Sequence, residues 1–405
     1  MKRVTVVGGG FSGLATAHYL TAAGIPVEVV ERSDRCGGMI ATIRTPHGPV
    51  ETAATGLRNS RRSEDLFRVL GLPPVFAGAA SRARYVFRGR PRRWPLGPGE
   101  SLGFAARAAW HLTLARGARR ARARETVREW GNRVAGAAAT KYLLAPVCQG
   151  IYAGAVDQLS ASLVWGGGRR EARPAKRGLV SAPGGMGELV ARLAESLENR
   201  GVRFHMKTSF ALHRSGTPAV ICTSIKDAAA ILRPTLPATA RRLDRVEMVP
   251  LVTATVFYAV EENSLRGFGV LIPRTEGFRA LGVLFNANIF DGRGPCHSET
   301  WIFGGAEDRP IVDLPEKEIL DLAHREGERL HGRDRTAPLG YHVQRWRDAL
   351  PHYDVELEEQ LEGGIELPDG VFLVGNWLGG IGLARILDRA HAVAQEIARR
   401  PERSA

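Results

Sequence analysis

Val4-Thr5-Val6-Val7-Gly8-Gly9-Gly10-Phe11-Ser12-Gly13-Leu14 is the stretch from which the fold is read. Val4 to Val7 predict a buried strand, and the mainly apolar run from Leu14 to Ala23 predicts a helix. Between them lies G-x-G-x-x-G. Gly8 allows a tight turn, Gly10 lets backbone N–H groups approach a pyrophosphate, and Gly13 permits close helix–strand packing. Phe11 and Ser12 fill the turn at the positive end of the helix. A second strand, Pro26 to Val30, ends at Glu31, 18 residues past Gly13, where a carboxylate meets a ribose hydroxyl. The glycines alone are a weak signal. Strand, glycines, helix, strand and acid in register predict a dinucleotide site, against the rival of a glycine-rich turn in a nucleotide-free α/β protein.

The residues after Glu31 choose the cofactor. Glu31-Arg32-Ser33-Asp34-Arg35-Cys36-Gly37-Gly38 reads E-R-x-x-R-x-G-G. This run resembles the FAD signature of the amine oxidase, phytoene desaturase and protoporphyrinogen oxidase superfamily. The resemblance implies that Arg32 and Gly37-Gly38 lie along the FAD diphosphate and ribityl chain. Gly166-Gly167-Gly168 and Gly184-Gly185-Met186-Gly187 lack the spacing of a second nucleotide motif, so no separate NAD(P) domain is expected.

At 405 residues the chain can hold about two or three domains. Met1 lies close to the first strand, so no signal or transit peptide is expected. Residues 4 to 27 carry no charged side chain, but five glycines and a proline argue against a membrane span there. Cys36, Cys148, Cys222 and Cys296 form no C-x-x-C pair, which predicts neither a zinc site nor a disulfide framework and fits a reducing cytoplasm. His18, His47, His111, His352 and His391 fall in no triad or ligand spacing, and no metal is expected.

The net charge of +14 is uneven. Residues 82 to 133 hold fourteen arginines and three acids, and Arg116 to Arg133 predicts an arginine-rich helix. A solvated basic face, a surface that docks on anionic lipid, and nucleic-acid binding compete to explain it. No nucleic-acid module accompanies the charge, so nucleic acid is not an expected partner.

The element order predicts interleaved domains. Residues 1–56, 178–248 and 363–399 make a discontinuous nucleotide-binding domain. Residues 57–177 are mainly helical and basic. Residues 249–362, with short runs at Thr253 to Val260, Gly282 to Asn286, Glu299 to Phe303 and Tyr341 to Gln344 and one helix at Glu316 to His331, make a β-rich substrate domain. The expected class is α/β: a Rossmann-type FAD-binding domain interleaved with a substrate domain that holds an antiparallel sheet and a helical basic region.

Seven segments in order carry a fuller resemblance. They are the helix lead Glu125 to Trp130; Ala145-Pro146-Val147-Cys148-Gln149-Gly150-Ile151-Tyr152-Ala153-Gly154 with Leu159-Ser160; Gly184 to Leu189; Gly267 to Gly277; Phe290-Asp291-Gly292-Arg293; Ala349-Leu350-Pro351-His352-Tyr353; and Gly375-Asn376-Trp377-Leu378-Gly379-Gly380-Ile381-Gly382-Leu383. Together they resemble the FAD-dependent protoporphyrinogen and coproporphyrinogen oxidases of haem biosynthesis. The resemblance implies removal of six hydrogens from a porphyrinogen in three flavin cycles, with oxygen or another acceptor taking the electrons and no obligatory protein base. It implies that Gly375, Asn376, Ile381 and Gly382 sit at the second phosphate and the flavin end. It also implies that Arg84, in Arg84-Tyr85-Val86, pairs with a substrate propionate, and that Gly150 and Tyr152 line the pocket. Read from the residues alone, Arg84 is one of many surface arginines, and Gly150 and Tyr152 are a helix cap and a core tyrosine.

The departures are local. Ala155-Val156-Asp157 replaces the family's Asp-Pro, Phe210 to Ala219 is abbreviated, and Ala384 to Ala390 replaces P-x-C-I-x-S-G. The cysteine missing from that last run implies non-covalent FAD. The rival activities are oxidation of an amine or a polyene, or a catalytically silent flavoprotein that binds haem precursors. The expected setting is cytoplasmic, peripheral on an anionic membrane, with a homodimer as a candidate assembly.

Overall fold

A computed structural model describes residues 3–113, 119–166, 174–212, 218–262 and 264–400. Five short parallel strands form one sheet, in the order Arg203–His205, Val27–Val30, Val4–Val7, Ala219–Ile221, Val371–Leu373. The chain fills one side of Val4–Val7 first and the other side afterwards. The order therefore reverses at that strand, and in open parallel sheets a ligand crevice lies at such a reversal, outside the carboxyl ends of the strands. Val4, Val6 and Val29 are buried, as strands covered on both faces by helices require.

A second sheet has seven strands, ordered Gly340–Pro351, Met248–Tyr258, His297–Gly304, Ala280–Phe285, Gly269–Leu271, Arg84–Phe87, Pro91–Arg92. All neighbours are antiparallel except Gly269–Leu271 against Arg84–Phe87. The first three elements outrun the expected short runs. The register slips between Val249 and Leu251, where Pro250 has no N–H for the ladder. Residues 57–177 thus lend two strands to this sheet.

Alternation along the strands divides its faces. Val252, Ala254, Val256, Val270, Val283, Phe285, Trp301 and Phe303 point to one side, where Ile319, Ala323 and Leu330 of the Glu316–His331 helix cover them. That helix has the expected bounds, and Gly332 ends it in the left-handed conformation at φ 67°. Thr253, Leu284, Thr300 and Ile302 point to the other side, along a small cavity shared with Glu51, Ala53 and Thr55.

The expected helix from Arg116 to Arg133 is not continuous. Residues 114–118 lie outside the described residues, as do Gly167, Gly168 and residues 213–217 of the abbreviated stretch. Arg120 to Glu125 is bend, turn and coil, with Arg124 at φ 58°. A new helix, Val127–Val134, begins at Thr126, whose hydroxyl accepts from the Glu129 N–H while the Glu129 carboxylate accepts from the Thr126 N–H. This reciprocal cap, together with Arg133 clamped to the buried Glu125 at 2.6 Å, ends the run that the arginine count suggested.

A buried charge cluster locks the covered face. One Glu299 oxygen accepts from His297 Nε2 and His331 Nε2, both at 3.0 Å. The other accepts from Arg335 at 2.5 Å and Trp301 Nε1 at 3.2 Å. Burial pushes the Glu299 carboxyl up, but the imidazole bonds and the Arg335 charge outweigh it and hold the group well below its ordinary range. Replacing Glu299 by Gln leaves the Arg335 charge buried with less compensation, which should destabilise the fold by about 3–5 kcal/mol. A depressed carboxyl contributes its stability above the unfolded value near 4.3 and loses it below. The difference in melting temperature between wild type and E299Q should therefore hold from pH 7 to about pH 5 and shrink only below about pH 4.3.

Candidate functional site

The Val4–Val7 strand delivers the chain into Gly8 at φ 103°, and the Phe11–Ala22 helix starts three residues later. A Cβ on Gly13 would stand 1.8 Å from the Gly8 carbonyl oxygen, so only hydrogen fits there. Gly10 caps the helix without a side-chain bond, and no acid occupies the first turn. The N–H groups of that turn lack helical partners and carry the positive end of the dipole, which suits an anion. Gly37 N–H donates to the Gly9 carbonyl at 2.8 Å, and Gly10 and Gly37 form a parallel bridge. The second glycine pair therefore lies directly along the first.

Glu31 leaves the end of its strand half-buried. Its carboxylate accepts from Gly9 N–H at 2.5 Å and from Ser33 N–H at 2.8 Å. The expected ribose partner thus also staples the two turns together. Arg32 is exposed and pairs with Asp227 at 2.8 Å. Arg35, to which the sequence reading gave no role, donates to the Gly38 carbonyl at 2.6 Å and pins the second glycine turn. The second Arg of E-R-x-x-R is the signal that marked it.

The closing turn meets the same crevice. After Val371–Leu373, Gly375 has Trp377 Nε1 where a Cβ would go, at 2.6 Å, and Trp377 is buried. Gly382 caps the Leu383–Arg399 helix with no side-chain bond and no acid in its first turn, and no atom lies within 4 Å of its missing Cβ. Ile381, beside it, is half-buried. The Leu383–Arg399 and Phe11–Ala22 helices pack together, so the chain carries two glycine-capped helix starts of the same kind. Both acid-free starts follow the carboxyl ends of strands of the one parallel sheet, and a start of this kind fits the diphosphate of a dinucleotide.

The proposed substrate residues fall in two places. Gly150 lies inside the Ala145–Tyr152 helix and is not its cap; Ala153 ends the helix in the left-handed conformation, and Leu271 Cδ2 sits 2.5 Å from where a Gly150 Cβ would be, so the two elements approach closely there. Tyr152 rests on Tyr353 at 5.1 Å between ring centres, and burial pushes the Tyr152 phenol up. The Tyr353 hydroxyl donates to the Asn376 carbonyl at 2.5 Å. Gly150, Tyr152 and the closing turn are therefore brought together, through a tyrosine that the sequence reading quoted without a role. Arg84 lies apart, on the strand next to the far edge of the second sheet. It is exposed, with its guanidinium 4.6 Å from the centre of the Phe268 ring.

With this geometry in hand, comparison with known proteins gives the class. The model of the flavin containing amine oxidoreductases matches residues 11–211 and 217–397. The chain belongs to this family; it is an oxidoreductase, and its cofactor is FAD. It is 26% identical to the chloroplastic protoporphyrinogen oxidase of Oryza sativa subsp. japonica, over 97% of this chain and 87% of that one. It is 23% identical to coproporphyrinogen III oxidase of Bacillus subtilis (strain 168), over 98% and 97%. Among solved structures, cyclohexylamine oxidase from Brevibacterium oxydans IH-35A shares the fold at TM-score 0.69 and 16% identity, over 98% of this chain and all of that one.

Two substitutions test the cradle. Glu31→Ala should weaken FAD binding by about 1.5–3 kcal/mol, the scale of lost hydrogen bonds to a charged group, as read by titration of flavin fluorescence. Gly13→Ala should yield protein without bound flavin, because the new methyl and the Gly8 carbonyl cannot share the space.

Proposed function

We propose that this chain oxidises a porphyrinogen, protoporphyrinogen IX or coproporphyrinogen III, to the porphyrin. The observation that carries the reading is its match along nearly its whole length to relatives named for those two reactions. The bound FAD would supply the two-electron acceptor chemistry, three rounds removing six electrons, with oxygen or another acceptor regenerating it. The chain's own task is then to bind, orient and exclude water.

In this reading Gly8, Gly10, Phe11, Ser12, Gly13, Glu31, Arg32, Gly37 and Gly38 surround the ADP portion. Gly375, Asn376, Ile381 and Gly382 hold the flavin end. Arg84 pairs with a substrate carboxylate through two parallel charge-assisted bonds, while Gly150 and Tyr152 border the ring system. FAD is held without a covalent bond. Cys36, the cysteine nearest the glycine turns in sequence, is a poor nucleophile, because burial and Glu31 push its thiol up to about 11. An amine substrate, cationic at neutral pH, would be repelled by Arg84.

The decisive experiment mixes holoenzyme anaerobically with each porphyrinogen and follows flavin bleaching; no bleaching with either defeats the reading. Acid precipitation should leave the flavin in the supernatant. Arg84→Ala should raise KM with little change in the flavin spectrum, and unchanged kinetics would return that arginine to the surface.

We also propose that the enzyme is cytoplasmic and lies on the surface of an anionic membrane. No helix among the described residues is long and apolar enough to cross one. Trp94, Leu102, Trp110 and Leu112 are exposed in the arginine-rich region, so apolar contact accompanies charge there. Binding to vesicles should require acidic lipid and weaken as salt rises. Equal binding to neutral vesicles would overturn the electrostatic part.

A further inference from the structure

Beyond Arg84 the second sheet ends in a cavity of about 660 Å³. Four arginines line it, Arg82, Arg84, Arg93 and Arg266, with three alanines between them and no acid. Among the described residues none of the four has a carboxylate within ion-pair distance, whereas their neighbours Arg88, Arg128 and Arg133 pair with Glu100, Asp157 and Glu125. Four like charges around one open cavity repel each other, and an anion that enters relieves that repulsion.

The arginines are held without using up their donors. Arg84 lies over the Phe268 ring at 4.6 Å, and Arg93 lies 5.9 Å from the Tyr85 ring centre. Stacking on a ring face fixes a guanidinium while its N–H fork stays available for a carboxylate. The loop that carries Arg266 is fixed as well. Its carbonyl accepts from the Tyr85 hydroxyl at 3.0 Å, and Gly267 is pressed so closely on Tyr85 and Ala83 that a Cβ would lie 2.6 Å from the ring.

The cavity also continues a particular surface. Tyr85 and Phe87 pack toward the covered core, so alternation turns Arg84 and Val86 to the opposite face. Leu271, opposite Val86 in the parallel pair, shares that face and touches Gly150; Leu284, across the sheet from Gly269, shares the face. A mainly apolar floor thus runs from Gly150 and ends at four arginines. A flat ring with ionised arms fits this order: ring on the floor, arms at the rim.

We propose that Arg82, Arg93 and Arg266 join Arg84 to form a subsite that reads how many carboxylates the substrate carries, so that the enzyme prefers a tetracarboxylate porphyrinogen to a dicarboxylate one. This rests on the porphyrinogen reading. The three added arginines are specificity-determining and take no part in the electron transfer.

The test uses holoenzyme, the Arg93→Gln/Arg266→Gln double variant and the matching double Lys variant, with coproporphyrinogen III and protoporphyrinogen IX as probes. Wild type should show a KM about tenfold lower for the tetracarboxylate, the size of one good charge-assisted contact. The Gln variant should lose that preference, with kcat and the flavin spectrum unchanged and the dicarboxylate KM moved by less than about twofold. The Lys variant should recover part of it. A parallel rise for both substrates, no change for either, or loss of acidic-vesicle binding alone would overturn the proposal. If wild type oxidises neither compound, the porphyrinogen reading falls by itself. The subsite is then read by fluorescence quenching of coproporphyrin III against the dicarboxylate deuteroporphyrin IX: tighter tetracarboxylate binding that the Gln variant abolishes supports it, and equal binding overturns it.

Discussion

The closeness of the first helix to the turn that feeds it governs the rest of the molecule. At Gly13 a single methyl would collide with the Gly8 carbonyl, so the helix axis is set against the strand by steric exclusion. That placement leaves the helix start without a side-chain cap. It also lets Gly37 reach the Gly9 carbonyl and brings Glu31 to the Gly9 N–H. Each of these contacts holds another segment in place. The contact at Gly37 holds the second glycine turn, which Arg35 then secures.

Charge is treated differently in the interior and at the rim. Buried carboxylates are each answered within the fold. Glu51 meets Arg293 at 2.9 Å, Glu299 meets two histidines and Arg335, and Glu326 accepts the Arg279 and Ala280 N–H groups. A buried charge left unanswered would cost several kcal/mol, so such matching is required for folding. Around the cavity at Arg84 the arginines meet no acid. Positive charge is tolerated there because water reaches it, and it remains available to a ligand. The net charge of +14 is therefore in part a property of one site.

What could be read in advance followed the reach of the interactions. The first strand, glycines, helix and acid were legible because their constraints act within a few residues, as was the Glu316–His331 helix. The break before Val127 was missed because a Thr126–Glu129 cap outweighs the composition of the segment it interrupts. The Glu299 cluster could not be read, since His297, His331 and Arg335 meet it only through packing of the sheet on the helix. The same holds for the arginine cavity, which takes its side chains from a turn, a strand and two loops that pattern alone does not bring together. Tyr353 was visible as part of a motif, but its bond to Asn376 depends on two segments that only the fold aligns.

The parallel sheet draws its last strand, Val371–Leu373, from the far end of the sequence, beside Ala219–Ile221. The glycine turn and helix start that follow it complete the crevice only when that strand is in place. A growing chain can assemble the Val4–Val7 and Val27–Val30 pair early, but the remaining half of the cradle emerges from the ribosome more than three hundred residues later. Such long-range closure is slow, because its loop entropy is lost before its contacts form. Capture of the flavin is therefore a late event, and its binding energy stabilises a nearly finished molecule without guiding its early folding. Until the last strand docks, the partly built sheet exposes an unpaired edge at Ala219–Ile221, and this is the stage at which the chain is most vulnerable to aggregation and proteolysis, whatever the supply of flavin.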